Sequence, residues 1–262
     1  MRTVRVLHGG TPRYGVVDGD AVALLEGPPY EGIRRSGEAL PLAGADLLAP
    51  VEPPNVLAIG LNYRRHAAES GKPAPDHPIL FIKANTAVIG PGQPIVLPRM
   101  APAEVDYEAE LVAVIGRRAR HVPQAAALDY VFGYTCGNDV SARDCQLRYD
   151  GQWARGKSFD TFCPLGPWID TAVRPENLTV RSRLNGRTMQ ESSTSDMVFG
   201  VAALVAFLSS IMTLLPGTVV MTGTPAGVGV ARQPPVFLRP GDSIEIELEG
   251  IGILRNPVVA EG

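Results

Sequence analysis

Acidic residues occupy every second position of Glu104-Val105-Asp106-Tyr107-Glu108-Ala109-Glu110. On a β-strand that alternation puts the four carboxylates on one face, about 7 Å from one to the next. Like charges so placed repel, and a partly buried carboxylate without a counter-charge costs several kcal/mol. A divalent cation removes that cost by taking several carboxylate oxygens at once. A solvated edge strand is the plainer account of the same pattern. Gly133-Tyr134-Thr135-Cys136-Gly137-Asn138-Asp139 adds a further acid, because it ends a predicted strand with Asp139 in a Gly-Asn turn, where a side chain can point across a sheet. Glu108, Glu110 and Asp139, with no His/Cys cluster nearby, make an oxygen-only set that suits Mg²⁺, Mn²⁺ or Ca²⁺ and not zinc.

His66 and Glu69 stand three residues apart in Gly60-Leu61-Asn62-Tyr63-Arg64-Arg65-His66-Ala67-Ala68-Glu69. On a helical turn they share a face, and a carboxylate on one ring nitrogen raises the basicity of the other. That is how a general base for water is built, although a surface His beside a surface Glu has the same spacing. His8, His77 and His121 have no such partner. Lysine is rare, with three (Lys72, Lys83, Lys157) among 24 basic residues. Where arginine is the default, a lysine can mark a site that needs a compact ammonium. Lys157, in Gly156-Lys157-Ser158, is the candidate for stabilising developing negative charge; chance placement is the alternative.

Residues 151–158 (GQWARGKS) match the phosphate-loop pattern G-x-x-x-x-G-K-[ST]. That motif needs a buried strand before it and a helix starting at the Lys. The preceding residues are polar, and Pro164 and Pro167 follow closely, so nucleotide hydrolysis is rejected. Gly223-Thr224-Pro225-Ala226-Gly227-Val228-Gly229 has the wrong spacing for a dinucleotide fingerprint. Its glycine turn, starting at Gly223, frees amides to meet an anion, and Thr224 can add a hydroxyl; an ordinary tight loop is the plain reading.

Several elements must position these groups. Residues 56–59, 110–116, 131–136, 219–221 and 244–248 read as strands, the last by strict alternation. Residues 62–70 read as a helix or turn, 123–130 as a short helix, and 195–215 as the one long helix, capped by Ser195-Asp196 and ended by Pro216-Gly217. Residues 71–78, rich in proline, read as a mobile loop. An Asp18-Gly19 turn between apolar runs signals a hairpin. Pro50-Val51-Glu52-Pro53-Pro54 reads as a stiff linker, so residues 1–50 are expected to form a small β unit and residues 55–262 the catalytic unit.

Across 262 residues, 24 basic and 27 acidic side chains leave a net charge of −3, with no block of like charge. Nothing there calls for nucleic acid or membrane headgroups as partners. With 28 Gly and 24 Pro, turns are many and a helical bundle is excluded. The longest apolar stretch, residues 201–215, is too short and polar to span a bilayer. No signal-peptide pattern follows Met1, and three cysteines (Cys136, Cys145, Cys163) without C-x-x-C spacing suit a reducing cytoplasm.

Taken together, residues 60–69, Asp106-Tyr107-Glu108-Ala109-Glu110-Leu111, residues 137–144, 156–160, 223–229, 238–242 and 250–256 resemble the fumarylacetoacetate hydrolase family over about residues 55–259. The small N-terminal unit resembles that of its bacterial branch of 2-hydroxyhepta-2,4-diene-1,7-dioate and 5-carboxymethyl-2-hydroxymuconate isomerases, beside which stand acylpyruvases. The resemblance implies a mixed α/β, mainly β fold with a central barrel-like sheet, and a homodimer or larger assembly. It implies Mg²⁺ or Mn²⁺ on Glu108, Glu110 and Asp139, and a catalytic His66–Glu69 pair on a segment that closes over substrate. Lys157, Arg143, Gln146 and Thr224 match positions that hold substrate or its charge. One departure is that residues 55–65 contain no Asp, where larger members carry an additional metal ligand; water or a substrate oxygen would fill that position.

The chemistry so implied is that of a small 2-oxo or 2-hydroxydienoic acid chelated at a divalent metal. One enolate-like transition state leads to isomerisation or decarboxylation, as in aromatic-compound catabolism. With water activated by His66 it leads to C–C hydrolysis of acylpyruvate or fumarylpyruvate-type acids, and oxaloacetate decarboxylation belongs to the same set. A non-catalytic metal- or ligand-binding protein on the same fold is the reading from another class.

Overall fold

The computed structural model describes residues Met1–Gly262. Its apolar runs are short and punctuated by Gly and Pro, so they become strands, and most join one twelve-stranded sheet. The path across that sheet is Arg35–Pro41, Ala21–Leu25, Thr11–Asp18, Arg2–His8, Cys163–Asp170, Val131–Asn138, Ala109–Ile115, Val219–Met221, Val56–Gly60 and Ile79–Lys83. A five-stranded sheet runs Arg187–Ser193, Thr179–Leu184, Ser243–Leu248, Gly252–Ala260, Ile95–Leu97. Central strands of the first sheet pack on strands of the second, and a cluster of 51 buried apolar residues fills the space between and around them. The fold is therefore mixed and mainly β, as expected, and neither sheet closes into a full barrel.

Burial explains which strands the sequence shows. Ser243–Leu248 buries Ile244, Ile246 and Leu248 and turns its alternate residues outward, so its period is legible. Ala109–Ile115 is buried on both faces and reads as a continuous apolar run. Arg35–Pro41 buries none of its residues, and this edge strand falls in a stretch without periodicity. The N-terminal strands form a meander through the expected Asp18-Gly19 turn, with a small core of Val4, Val6, Val22 and Leu24. Arg2–His8 pairs with Cys163–Asp170, so this meander continues the main sheet.

Three α-helices are present: α1 (Arg64–Glu69), α2 (Ala154–Lys157) and α3 (Val201–Ile211). Helix α3 starts later than the 195–215 pattern predicts, and Gly200 rather than Ser195-Asp196 caps it. Ser193 instead caps a single 3₁₀ turn at Thr194–Asp196. The Asp196 carboxylate turns away to accept the Arg65 N–H at the start of α1. Beyond it, the buried Asn62 amide holds Phe199 out of the helix: its Oδ1 accepts the Phe199 N–H (2.9 Å), and its Nδ2 donates to the Phe199 and Thr222 carbonyls (2.9 and 2.8 Å).

Asn62 thus ties the segment before α1 to the end of strand Val219–Met221 and to the approach of α3. Replacing it with Ala leaves the Phe199 N–H and the Thr222 carbonyl without these partners. Asn62→Ala is expected to cost about 2–3 kcal/mol in urea unfolding, and a loss below about 0.5 kcal/mol would contradict the clamp.

Candidate metal centre and active site

The acidic run does not form one strand. Val105–Asp106 pairs with Ser141–Ala142, the chain breaks register at Tyr107-Glu108, and Ala109–Ile115 then enters the main sheet. The four acids therefore part company, against the single face expected of them. Glu104 lies partly exposed and pairs with Arg148. Asp106 is fully buried and pairs with Arg143 (2.8 and 2.9 Å). Only Glu108 and Glu110 turn to a common centre.

The antiparallel register supplies the third acid. Ala109 faces Asn138 and Glu110 faces Gly137, and the Asp139 N–H reaches the Glu108 carbonyl at 3.0 Å. Asp139 thus lies across from Glu108, on the face that Glu108 and Glu110 share. One oxygen from each of Glu108, Glu110 and Asp139 lies within 4.8 Å of the others, and all three residues are buried. The Asn138 side chain fixes the turn by accepting the Glu108 N–H at 3.0 Å.

Three buried cations partly balance this cluster. Lys157 Nζ meets Glu108 Oε2 (3.0 Å) and Asp139 Oδ2 (2.7 Å), while Arg143 Nη1 meets Glu108 Oε1 (2.7 Å). Lys83, with no exposed surface, bonds the other Asp139 oxygen and the Val140 carbonyl. Burial would raise Glu108, but Lys157 and Arg143 hold it well below the usual carboxylate range. Lys157 goes up: burial opposes its charge, and Asp139 and Glu108 overcome that opposition. Glu110 has no cationic partner. Burial, then the charges of Asp139 and Glu108, push it well above the usual range, and the Gly223 N–H at 2.8 Å offsets only part of this.

These residues fit a hard divalent cation. Four buried carboxylates (Asp106, Glu108, Glu110, Asp139) stand against three buried cations, and the carboxylate lacking a counter-charge is one of the three that converge. Adding Mg²⁺ or Mn²⁺ would change a deficit of one positive charge into an excess of one, which matches an anionic chelating ligand.

His66 and Glu69 lie on α1, His66 buried and the Glu69 side chain 22% exposed. His66 Nδ1 meets Glu69 Oε1 at 2.7 Å, so in the neutral imidazole the proton belongs on Nδ1, facing the carboxylate, and the lone pair on Nε2. The loop after strand Val219–Met221 supplies amides to the protein's own carboxylates. Gly223 donates to Glu110, Gly227 to Glu69 (2.9 Å), and Gly229 and Val230 to Asp106 (2.7 and 2.9 Å). At Gly229 the approach is so close that a Cβ would lie 1.9 Å from the Val236 carbonyl oxygen and 2.5 Å from Asp106.

A cavity of about 300 Å³ opens at this centre. Of the residues singled out in the sequence, His66, Glu69, Glu108, Arg143, Gln146, Lys157 and Thr224 line it. Glu110 and Asp139 lie behind that lining. Gly223 does not line it either, its N–H being spent on Glu110. Gln146 Oε1 accepts from Arg143 Nη1 at 2.8 Å, and the Thr224 hydroxyl donates to the Ala109 carbonyl and accepts from Gln190. Lys157 ends the one-turn helix α2 instead of starting a helix, and no strand precedes it, which disposes of the phosphate-loop match. His8, His77 and His121 are exposed, and the three cysteines are free and buried.

Sequence reasoning missed Lys83, Gln190 and the Asp106–Arg143 pair. The scarcity of lysine pointed to Lys83 as much as to Lys157. Gln190 carried no signal, since it arrives from the other sheet to bond Ala109, Thr224 and Pro225.

The position of Glu110 gives a prediction. A raised carboxyl in the metal-free fold is stabilising at low pH, and that contribution is lost as pH rises through its folded value. A cation must displace this proton, so Mg²⁺ affinity should rise with pH. Calorimetric titration in buffers of different ionisation enthalpy should show proton release on Mg²⁺ binding. Glu110→Gln should lower affinity and remove the buffer dependence, and an unchanged dependence in the variant would refute the assignment.

Comparison with known proteins gives the family. Residues 55–259 match the family model described as fumarylacetoacetate (FAA) hydrolase C-terminal, and residues 1–50 match one described as Rv2993c-like, N-terminal. The mitochondrial oxaloacetate tautomerase fahd2 of Xenopus laevis is 48% identical over 81% of this chain and 68% of that protein. The crystal structure of 5-carboxymethyl-2-hydroxymuconate delta-isomerase from Mycobacterium smegmatis superposes over all of both chains with a TM-score of 0.90 and 44% identity. That of 2-hydroxyhepta-2,4-diene-1,7-dioate isomerase from Mycobacterium marinum does so over 100% of this chain and 99% of that one, with a TM-score of 0.89 and 42% identity. With a matching family model spanning residues 55–259, well over half of its length, this chain belongs to the fumarylacetoacetate hydrolase family.

Proposed function

We propose that this protein is a divalent-metal-dependent enzyme that moves a proton on small 2-oxo or 2-hydroxydienoic acids, as an isomerase or tautomerase. The observation that carries this reading is that Glu108 of the carboxylate cluster lines the same cavity as His66, whose Nδ1 is fixed by Glu69. Bound at the carboxylates, Mg²⁺ or Mn²⁺ supplies Lewis acidity to the chelated 2-oxo acid.

The chain's own residues do the rest. Glu69, held by the Gly227 N–H, presents His66 Nε2 as the base that takes the proton next to the carbonyl and returns it elsewhere on the conjugated system. Arg143 and Lys157, held against Glu108, present N–H donors where the substrate's carboxylate and developing oxyanion would sit, and the bound cation would supply the surplus positive charge. The cavity walls, among them Ile59, Phe81 and Trp153, keep bulk water away from that charge.

The names of the similar proteins support 2-hydroxyhepta-2,4-diene-1,7-dioate, 5-carboxymethyl-2-hydroxymuconate and oxaloacetate as substrates to test first. Decarboxylation of oxaloacetate and hydrolysis of acylpyruvates would use the same groups: breaking the C–CO₂⁻ bond, or the C–C bond of an acyl carbonyl to which water activated by His66 has added, leaves a pyruvate enolate that is then protonated. The three buried free cysteines fit a reducing cytoplasm, and a homodimer is part of this proposal.

The test is a panel of 2-oxo acids with Mg²⁺ and Mn²⁺, following enol absorbance for oxaloacetate and identifying products by mass. His66→Ala should lower turnover by about 10²–10⁴-fold while keeping Mg²⁺ affinity within about twofold. Metal-independent turnover, or full activity in His66→Ala, would sink the mechanism. Metal binding without turnover of any acid would favour a binding protein.

A further inference from the structure

Six charged or ionisable side chains line the cavity, and all but one have a partner already engaged. His66 and Glu69 hold each other, Arg143 is bound to Asp106, Glu108 and Gln146, and Lys157 is bound to Glu108 and Asp139. The exception is Lys72, which lines the cavity, is exposed, and has no ion-pair partner. A cavity that spends its inner cations on its own acids has one positive charge left for a distal group of the ligand.

The backbone places this lysine with care. Helix α1 ends in a left-handed Gly71 (φ +67°), with the Gly71 N–H donating to the Ala68 carbonyl and the Lys72 N–H to the Ala67 carbonyl (both 3.0 Å). That paired closure of the last turn fixes the residue after the glycine relative to the helix. Lys72 is therefore tied to the same short helix that carries His66 and Glu69. Between the centre and the indole of Trp153 the wall is apolar: Lys157 Nζ lies 5.3 Å from the Phe81 ring centroid, and Phe81 packs edge-on against Trp153 at 5.5 Å. The site thus combines a charged inner end, an apolar wall and one unpaired ammonium.

We infer that Lys72 is a specificity-determining residue that binds a second carboxylate, making this site selective for 2-oxo dicarboxylic acids over the corresponding monoacids. The inference rests on the 2-oxo acid reading and adds to it the residue that reads the far end of the substrate. An ammonium that is solvated and unpaired in the free protein pairs with a carboxylate delivered on a chelated ligand at high effective concentration.

Its test needs no turnover. The Mg²⁺-loaded protein is titrated calorimetrically with 2-oxoglutarate against 2-oxopentanoate, and with 2-oxoadipate against 2-oxohexanoate, each pair equal in length and differing by one carboxylate. In at least one pair the diacid should bind about tenfold or more tightly. Lys72→Met should erase that preference without changing monoacid affinity, Lys72→Arg should restore most of it, and added salt should weaken only the diacid. Equal binding within both pairs, or a preference that survives in Lys72→Met, overturns the inference and leaves the 2-oxo acid reading standing. Metal-dependent binding of neither diacid nor monoacid overturns both.

Discussion

Burying like charges side by side is the constraint around which this molecule is built. Glu108, Glu110 and Asp139 are carried into the interior by a strand pair whose own apolar residues belong in the core. In low dielectric each uncompensated carboxylate would cost several kcal/mol. Lys83, Lys157 and Arg143 reduce that cost without cancelling it. They leave Glu110 as the group that a proton or a cation must satisfy. The asymmetry suits the proposed metal site, because full neutralisation by side chains would leave no reason for a cation to bind.

The loop of residues 223–230 shows how the remaining acids are held. It follows a buried strand and is glycine-rich, features that elsewhere make a phosphate cradle. Here its amides meet carboxylates of the chain itself: Glu110 on the sheet, Glu69 on α1, Asp106 before the register break. One loop therefore fixes the carboxylate without a counter-charge, the partner of His66 and the partner of Arg143 relative to one another. Preorganisation of this kind spares the reacting state the cost of arranging its own dipoles. It also explains the glycines, since at Gly229 no side chain fits between Val236 and Asp106.

How much of this was legible in the sequence depended on whether a group's partners were local. His66–Glu69 was readable because a helical turn brings i and i+3 together. Glu110 and Asp139 were readable because strand alternation and a turn at the end of a strand each announce themselves. The expectation of four acids on one face failed because the chain changes strand partners at Tyr107-Glu108, and that break is imposed by Ser141–Ala142 and Asn138, about thirty residues away. The late start of α3 has the same origin, in the hold of Asn62 on Phe199 from 137 positions upstream. Lys83 and Gln190 acquire meaning only when separate strands converge. Arg35–Pro41 escaped notice because an exposed edge has no apolar period to show.

The division between inner and outer residues bears on how one site can serve several reactions. The inner groups are mutually bound: Arg143 to Asp106, Glu108 and Gln146, Lys157 to Glu108 and Asp139, Thr224 to Ala109 and Gln190. Changing any one of them strands a buried charge or dipole, so this layer tolerates little substitution. The outer lining, including Leu61, Ser70, Lys72, Leu147 and Ala231, lacks such mutual bonds and can vary at small cost to stability. In the proposed chemistry, stabilising an enolate next to a carbonyl belongs to the rigid layer and is common to isomerisation, decarboxylation and hydrolysis. Which of these follows would depend on which bond the outer layer aligns for cleavage into the enolate, whether C–H, C–CO₂⁻ or the C–C bond to an acyl carbonyl that water has attacked, and on how the far end of the substrate is held while it happens.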